Sequence, residues 1–178
     1  MNIPLTEWNP CADRVSKGED GKRHADWYKT GLLNALIHFR PRVCLEIGTN
    51  KGGTTAVFER YFSLWREDGM LVTVDIEKFV DVSSKRVKQV VKMDGVDGEM
   101  WTEELYDVCD FAFIDGDHSE DGVLNDVTKV KELHIPIIVF DDCRGEWPAP
   151  TKWFSEFDGE KYDFNDWPVY IGMGVCKI

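Results

Sequence analysis

Short apolar runs alternate with segments of helical periodicity along the middle of the chain. A continuously apolar run such as Phe111–Ile114 is typical of a strand buried on both faces of a parallel sheet. Five short apolar runs predict strands: Val43–Ile47, Met70–Ile76, Val87–Met93, Phe111–Ile114 and Ile135–Phe140. Helices are predicted at Ala25–Phe39, Thr54–Trp65, Val82–Arg86, Gly98–Tyr106 and Ser119–Leu133, the last with Ser119 as its N-cap.

This alternation predicts an α/β fold with a doubly wound, mostly parallel sheet and right-handed crossovers. After Cys143 the pattern changes to a loop, a short helix at Thr151–Phe157 and two closely joined strands, Lys161–Trp167 and Val169–Lys177. A closing antiparallel hairpin of this kind brings the sheet to seven strands. We expect one domain over 1–178, made of an N-terminal arm and helix (1–40), a binding core (43–143) and the loop and closing strands (144–178).

Charge and composition narrow the class of partner. A net charge of −12 disfavours nucleic acid, whose binding proteins need clustered Lys and Arg. No apolar run is long enough to cross a membrane and no signal peptide is recognisable, so we expect a soluble, cytoplasmic protein. The five cysteines form no C-x-x-C pair, which predicts buried, reduced thiols and no zinc site. The sequence is compatible with a homo-oligomer as well as with a monomer.

A glycine-rich turn follows the first predicted strand. Gly48, Asn50 and Gly52 allow tight backbone geometry and close approach to a ligand, and a helix begins directly afterwards. Glu46, near the end of the strand, would repel a phosphate but suits a cationic group. The turn therefore favours S-adenosylmethionine, with its ammonium and sulfonium groups, over NAD or ATP.

The run Glu46-x-Gly48-x-Asn50-x-Gly52 resembles the first motif of the class I S-adenosylmethionine-dependent methyltransferases, with Asn50 where a glycine is commonest. Asp75 follows the second strand at the distance where an acid accepts the ribose hydroxyls. The resemblance implies that Asp94, or the backbone of Met93, contacts the adenine amine. The full set of implied cofactor-binding residues is Glu46, Gly48, Thr49, Asn50, Gly52, Thr54, Asp75, Ile76, Met93, Asp94 and Asp115.

Acids follow the fourth and fifth strands, which should be neighbours in the sheet. Carboxylates that converge there need a cation, and a hard divalent ion such as Mg²⁺ suits oxygen ligands. The run from Phe113 to Ser119 resembles the methyltransferase domain 24 branch of class I and the metal-dependent O-methyltransferases. The resemblance implies Asp115, Asp141 and Asp142 as metal ligands, with Asp117 as the substitute for Asp115.

His118 is the predicted general base, acting with Asp115 as the catalytic pair. It occupies the place where the catechol enzymes of this group have a lysine near the acceptor hydroxyl, and imidazole is suited to proton transfer at pH 7. The alternative is a histidine that caps the next helix or bonds a strand-end carbonyl.

These features predict methyl transfer from S-adenosylmethionine to the hydroxyl of a small molecule, with Mg²⁺ or another divalent cation. The acceptor pocket is expected between the N-terminal arm and the segment 144–165, with Trp147 as one wall. Two alternatives stay open: a metal-independent N- or C-methyltransferase, and a non-catalytic S-adenosylmethionine-binding module. Gly172 and Gly174 predict a close backbone approach in the last strand.

Overall fold

One seven-stranded sheet organises the described part of the chain. A computed structural model describes residues 25–76, 84–91, 108–143, 147–163 and 173–178. The strands are β1 (Val43–Ile47), β2 (Met70–Asp75), β3 (Val87–Val91), β4 (Phe111–Ile114), β5 (Ile137–Phe140), β6 (Glu160–Asp163) and β7 (Gly174–Lys177). The helices are α1 (Ala25–Phe39), α2 (Gly53–Trp65), α3 (Glu120–Glu132) and α4 (Pro148–Glu156).

The strand order is β3-β2-β1-β4-β5-β7-β6. The first five strands are parallel, whereas β7 runs antiparallel to both β5 and β6. The predicted doubly wound sheet and its closing antiparallel strands are therefore confirmed. The order reverses between β1 and β4, and ligands of such sheets bind beyond the carboxyl ends of the strands at that reversal.

Side chains of successive strand residues enter two different apolar layers. In β1, Cys44 packs in the layer formed with α1 and α2, while Leu45 and Ile47 pack in the layer formed with α3 and α4. This alternation is the two-residue period of a strand. Both faces of the sheet are thus covered, as the continuous apolar runs predict.

Several element boundaries differ from the sequence prediction. Residues Ser84–Arg86, predicted as helical, form a turn into β3 in which the Arg86 N–H donates to Ser84 Oγ at 3.2 Å. Helix α4 begins at Pro148, three residues before the predicted start, because proline fits the first turn of a helix. Strand β5 begins just after Pro136, which cannot donate a ladder hydrogen bond. The predicted helix 98–106 and the strand-joining Pro168 lie outside the described residues.

The closing strands explain one predicted close contact. A Cβ on Gly174 would lie 2.5 Å from Cδ2 of Phe154, so the aromatic ring of α4 packs directly on the β7 backbone. Gly172 lies outside the described residues.

The cysteines in the described ranges lie in the interior of the protein. Cys44, Cys109, Cys143 and Cys176 are free and buried, which confirms the prediction for the cysteines that the structure describes. Burial raises the pKa of Cys109 and of Cys176 to about 12, so both remain protonated thiols. Of the helices in the described ranges, none has the length and apolarity that a bilayer crossing requires.

Candidate active site

The turn between β1 and α2 has the backbone geometry that its glycines predict. Gly48 has φ 100° and donates its N–H to the Val74 carbonyl at 2.8 Å. A Cβ at this position would lie 2.0 Å from the backbone oxygen of Asp115, so the turn touches the end of β4. Gly52, with φ 75°, is the N-cap of α2. Only glycine meets both conditions at Gly48.

Asn50 and Asp75 connect this turn to the end of β2. Asn50 has φ 44°, a left-handed conformation that asparagine tolerates better than most residues. Its backbone N–H donates to Oδ2 of Asp75 at 2.6 Å. The acid predicted to bind ribose therefore also fixes the glycine-rich turn.

Glu46 lies inside a cluster of threonine hydroxyls, which we call the Glu46 cluster (Glu46, Thr49, Thr55 and Thr73). The carboxylate is fully buried, and its Oε2 accepts hydrogen bonds from Thr55 at 2.6 Å and Thr73 at 2.5 Å. Because Thr73 uses its proton on Glu46, Thr49 is the donor in the 2.6 Å contact between Thr49 and Thr73. The cluster ties β1, β2, α2 and the turn together.

Replacing Thr73 by valine tests this cluster. Thr73→Val keeps the shape but removes the hydroxyl that donates to Glu46 and accepts from Thr49. We expect the free energy of unfolding to fall by about 2 kcal/mol, because polar groups buried at this site lose a partner. Urea denaturation measures the change. The matched variant Thr151→Val alters a half-buried threonine of α4 that donates to the Trp147 carbonyl, and it should cost less; equal losses would contradict the role of the cluster.

A cavity of about 570 Å³ opens at the carboxyl ends of β1, β2 and β4. We call it the Asp75 cavity. Its volume lies in the range of small-molecule sites. Ile76, 66% exposed, contributes apolar surface. The lining residues are Ile47, Gly48, Asn50, Val74, Asp75, Ile76, Asp115, Gly116, Asp117, Gly122, Asn125 and Asp126.

The structure sorts the predicted cofactor-binding residues into three groups. Gly48, Asn50, Asp75, Ile76 and Asp115 line the Asp75 cavity. The side chains of Glu46, Thr49 and Thr54 are buried. Gly52 caps α2 beside the turn, while Met93 and Asp94 lie outside the described residues.

Asn125 and Asp126 line the same cavity without having been predicted. Both lie in the first half of α3, near the end of β4. A Cβ on Gly116 would lie 3.1 Å from Oδ2 of Asp126, so this glycine gives the carboxylate room. The available signal was the position of Asp126 between Val123, Val127 and Val130, a polar residue next to the buried stripe of the helix.

Asp115, His118 and Asp142 form a group that we call the Asp–His cluster. One ligand atom from each lies within 4.8 Å of the others. Nε2 of His118 is 3.0 Å from Oδ2 of Asp142 and 3.6 Å from Oδ1 of Asp115. The cluster brings together the ends of β4 and β5, as the sequence predicts, but its third member is the imidazole.

Asp141 and Asp142 have different surroundings although they are adjacent. Asp142 has φ 54°, and its N–H donates to Oδ1 of Asp141 at 3.0 Å. Asp141 is buried, with 5% of its surface exposed, and is not a member of the Asp–His cluster.

Asp117 accepts hydrogen bonds from Ser119 at the start of α3. Its carboxylate accepts the backbone N–H of Ser119 at 2.9 Å and the Ser119 hydroxyl at 2.8 Å. These hydrogen bonds lower the pKa of Asp117. Ser119 in turn accepts the Gly122 N–H, so the predicted N-cap is confirmed. Between the two candidate ligands, this geometry favours Asp115.

The acids around His118 raise the pKa of its imidazole. The hydrogen bond to Asp142 raises its pKa most, burial opposes this, and the charges of Asp142, Asp141 and Asp117 raise it further. The Trp147 ring lies against the imidazole, with centroids 4.8 Å apart and planes tilted by 32°. The alternative role as a helix cap belongs instead to Ser119.

A second cavity of about 640 Å³, the Trp147 cavity, adjoins the first. The two share Gly116 and Asp117. The lining residues are Gly116, Asp117, His118, Ser119, Glu120, Trp147, Pro148, Ala149 and Lys152.

Solved structures of similar fold are O-methyltransferases by their descriptions. TomG from Streptomyces achromogenes, described as an O-methyltransferase of tomaymycin synthesis in complex with SAM, has a TM-score of 0.54 at 16% identity over 99% of each chain. A candidate O-methyltransferase from Klebsiella pneumoniae has a TM-score of 0.55 at 15% identity, covering 84% of this chain and 79% of its own. A candidate caffeoyl-CoA O-methyltransferase from Staphylococcus aureus has a TM-score of 0.54 at 15% identity, covering 83% and 81%. At these identities the likeness shows the fold.

Sequence comparison gives the family. A search of curated protein sequences yields no significant match. A family model described as a methyltransferase domain matches residues 45–143, which is more than half of the chain and extends from within β1 past the end of β5. The chain therefore belongs to the methyltransferase domain 24 family, within the class I S-adenosylmethionine-dependent methyltransferases.

Proposed function

We propose that this methyltransferase moves the methyl group of S-adenosylmethionine to a hydroxyl oxygen of a small acceptor, assisted by a divalent cation. One observation carries the proposal. The Asp–His cluster contributes Asp115 to the Asp75 cavity and His118 to the Trp147 cavity. A cofactor in the first cavity and an acceptor in the second would therefore meet beside the same acids.

The Asp75 cavity suits the cofactor by charge. Asp75, Asp115, Asp117 and Asp126 line it, and no Lys or Arg is among its described lining residues. Such a lining attracts the ammonium and sulfonium groups and repels the phosphates of NAD or ATP. Asp75 remains our assignment for the ribose hydroxyls, and Ile76 offers apolar surface to the adenine.

The donor set of the Asp–His cluster fits a divalent cation. Asp115 and Asp142 would hold it with carboxylate oxygens, beside the His118 imidazole. Carboxylate donors select Mg²⁺ or Mn²⁺. When bound, such a cation lowers the pKa of an acceptor hydroxyl.

The residues of the chain supply proton transfer and alignment. We assign Nε2 of the neutral His118 imidazole as the atom that receives the acceptor's hydroxyl proton. Asp142, 3.0 Å away, stabilises the imidazolium that results, and Trp147 holds the ring plane. The acceptor oxygen then forms its bond to the methyl carbon as the carbon–sulfur bond breaks, which releases S-adenosylhomocysteine. Fixing both reactants in line provides much of the rate.

A methyl-transfer assay with and without metal tests the proposal. We expect turnover of simple vicinal diols with Mg²⁺ or Mn²⁺, and loss of that turnover with EDTA. Calorimetry should show uptake of S-adenosylmethionine in both conditions, because Asp75 and the turn do not depend on the cation. Cofactor binding without turnover of any acceptor would instead favour the non-catalytic binding module.

A metal-independent N- or C-methyltransferase is the second candidate. The observation in its favour is that His118, with its raised pKa, can itself neutralise Asp115 and Asp142. Methyl transfer to an amine or carbon that EDTA leaves unchanged would establish this candidate and refute the first.

A further inference from the structure

The Trp147 cavity is lined by more carboxylates than ammonium groups. Its described lining residues include two carboxylates, Asp117 and Glu120, and one ammonium, Lys152. His118 also lines it, but its Nε2 is directed at the carboxylates of Asp115 and Asp142, which offset a charge on the imidazole. An acceptor in this cavity therefore meets more negative than positive charge.

Lys152 is paired with the carboxylate of Glu120. Its Nζ forms an ion pair with Oε1 of Glu120 that joins the middle of α4 to the first turn of α3. Both side chains are more than half exposed, so the pair lies at the mouth of the cavity. It is neutral as a unit, and Lys152 offers little attraction to an anionic acceptor while the pair holds.

Asp117 is in a different environment: the charged group beside it is His118, whose Nε2 faces Asp115 and Asp142. The groups that hydrogen-bond to it are the backbone N–H and hydroxyl of Ser119, which are uncharged. Its carboxylate is exposed and lies where the two cavities meet. The net charge of −12 adds a field of the same sign, which repels anions before they reach the site.

We propose that the acceptor is a hydroxylated amine, whose ammonium group binds beside Asp117, and that acceptors with a carboxylate or phosphate are disfavoured. This inference rests on the proposed function, since it assumes that the Trp147 cavity takes the acceptor. The exposed face of Trp147, which is 48% exposed, adds a wall for an apolar or cationic group next to the amine.

Three vicinal diols of similar size that carry a positive, a neutral or a negative ring substituent test the inference. The full chain, saturated with S-adenosylhomocysteine and Mg²⁺, is titrated with 3,4-dihydroxybenzylamine, 4-methylcatechol and 3,4-dihydroxybenzoate. We expect the amine to bind about fivefold more tightly than the neutral diol, and the benzoate about fivefold more weakly, at low salt. Raising the salt to about 0.5 M should reduce the differences in affinity among the three diols, because salt screens charges that are partly solvated.

Two variants identify the residues responsible. Asp117→Asn should remove most of the preference for the amine. Glu120→Gln should release Lys152 and strengthen binding of the benzoate several-fold. The matched control is Glu132→Gln at the far end of α3, which breaks the exposed Lys129–Glu132 pair, 3.1 Å long, with the same change of net charge. It should leave the order of the three diols unchanged.

The outcomes separate this inference from the proposed function. Equal or reversed affinities of the three diols, or binding of none, would overturn the inference. Methyl transfer is measured in parallel with the same diols. The expected affinity order without any transfer would support the inference about charge while refuting O-methylation.

Discussion

Gly48→Ala is expected to weaken cofactor binding strongly and to destabilise the fold. The added Cβ would lie 2.0 Å from the backbone oxygen of Asp115 and 2.6 Å from its carbonyl carbon. Neither group is a flexible side chain, so the turn or the end of β4 must move. A residue other than glycine is also strained at φ 100°.

We expect the free energy of unfolding to fall by about 3 kcal/mol and the affinity for S-adenosylmethionine to fall at least about 100-fold. Urea denaturation and calorimetry measure the two effects. Gly52→Ala is the matched control, because Gly52 also has a positive φ, 75°, in the same turn. It separates backbone strain, expected to cost about 1–2 kcal/mol, from the collision with Asp115. Equal effects of the two variants would contradict the argument from the collision.

Asp142→Asn is expected to lower methyl transfer about 1,000-fold while leaving the fold intact. The substitution keeps the size of the side chain, and asparagine tolerates the φ of 54° at this position. It removes the charge that faces His118 at 3.0 Å and one of the carboxylates proposed to hold the cation. Loss of a ligand and of the partner of the base should act mainly on the rate of the chemical step.

Single-turnover rates across a Mg²⁺ titration measure this effect, and calorimetry reports cofactor binding separately. Because Asp142 does not line the Asp75 cavity, affinity for S-adenosylmethionine should change by less than about threefold. Asp121→Asn, at an exposed acid of α3, is the control for the change of net charge. A variant at Asp142 that keeps both its rate and its response to Mg²⁺ would refute our assignment of the cluster.

The sheet was predictable because its signals are local. The continuous apolar runs of β1, β4 and β5 admit few other structures, and glycines followed by a helix mark the turn at Gly48. Strand ends could be placed at one edge because parallel strands share a direction. The turn at Ser84–Arg86 was missed because a short polar stretch has no reliable period.

The arrangement within the site was less predictable because it depends on contacts between distant residues. His118 and Asp142 are far apart in sequence, and their contact follows from the pairing of β4 with β5. The left-handed φ of Asp142 decides that this residue, and not Asp141, faces His118. No sequence pattern predicts that φ. The partners of Glu46 are threonines of β2 and α2, and neither threonine stands in a sequence pattern that marks it as a partner of a buried acid.

The alternation of β1 between the two layers constrains the length of this segment. Inserting or deleting one residue between Val43 and Glu46 would turn the carboxylate from the threonines of α2 and β2 towards the valines of α3. The same change would move Cys44 and Leu45 into each other's layers. Relatives of this protein can therefore exchange side chains along β1, but we expect their alignments to contain no gap there.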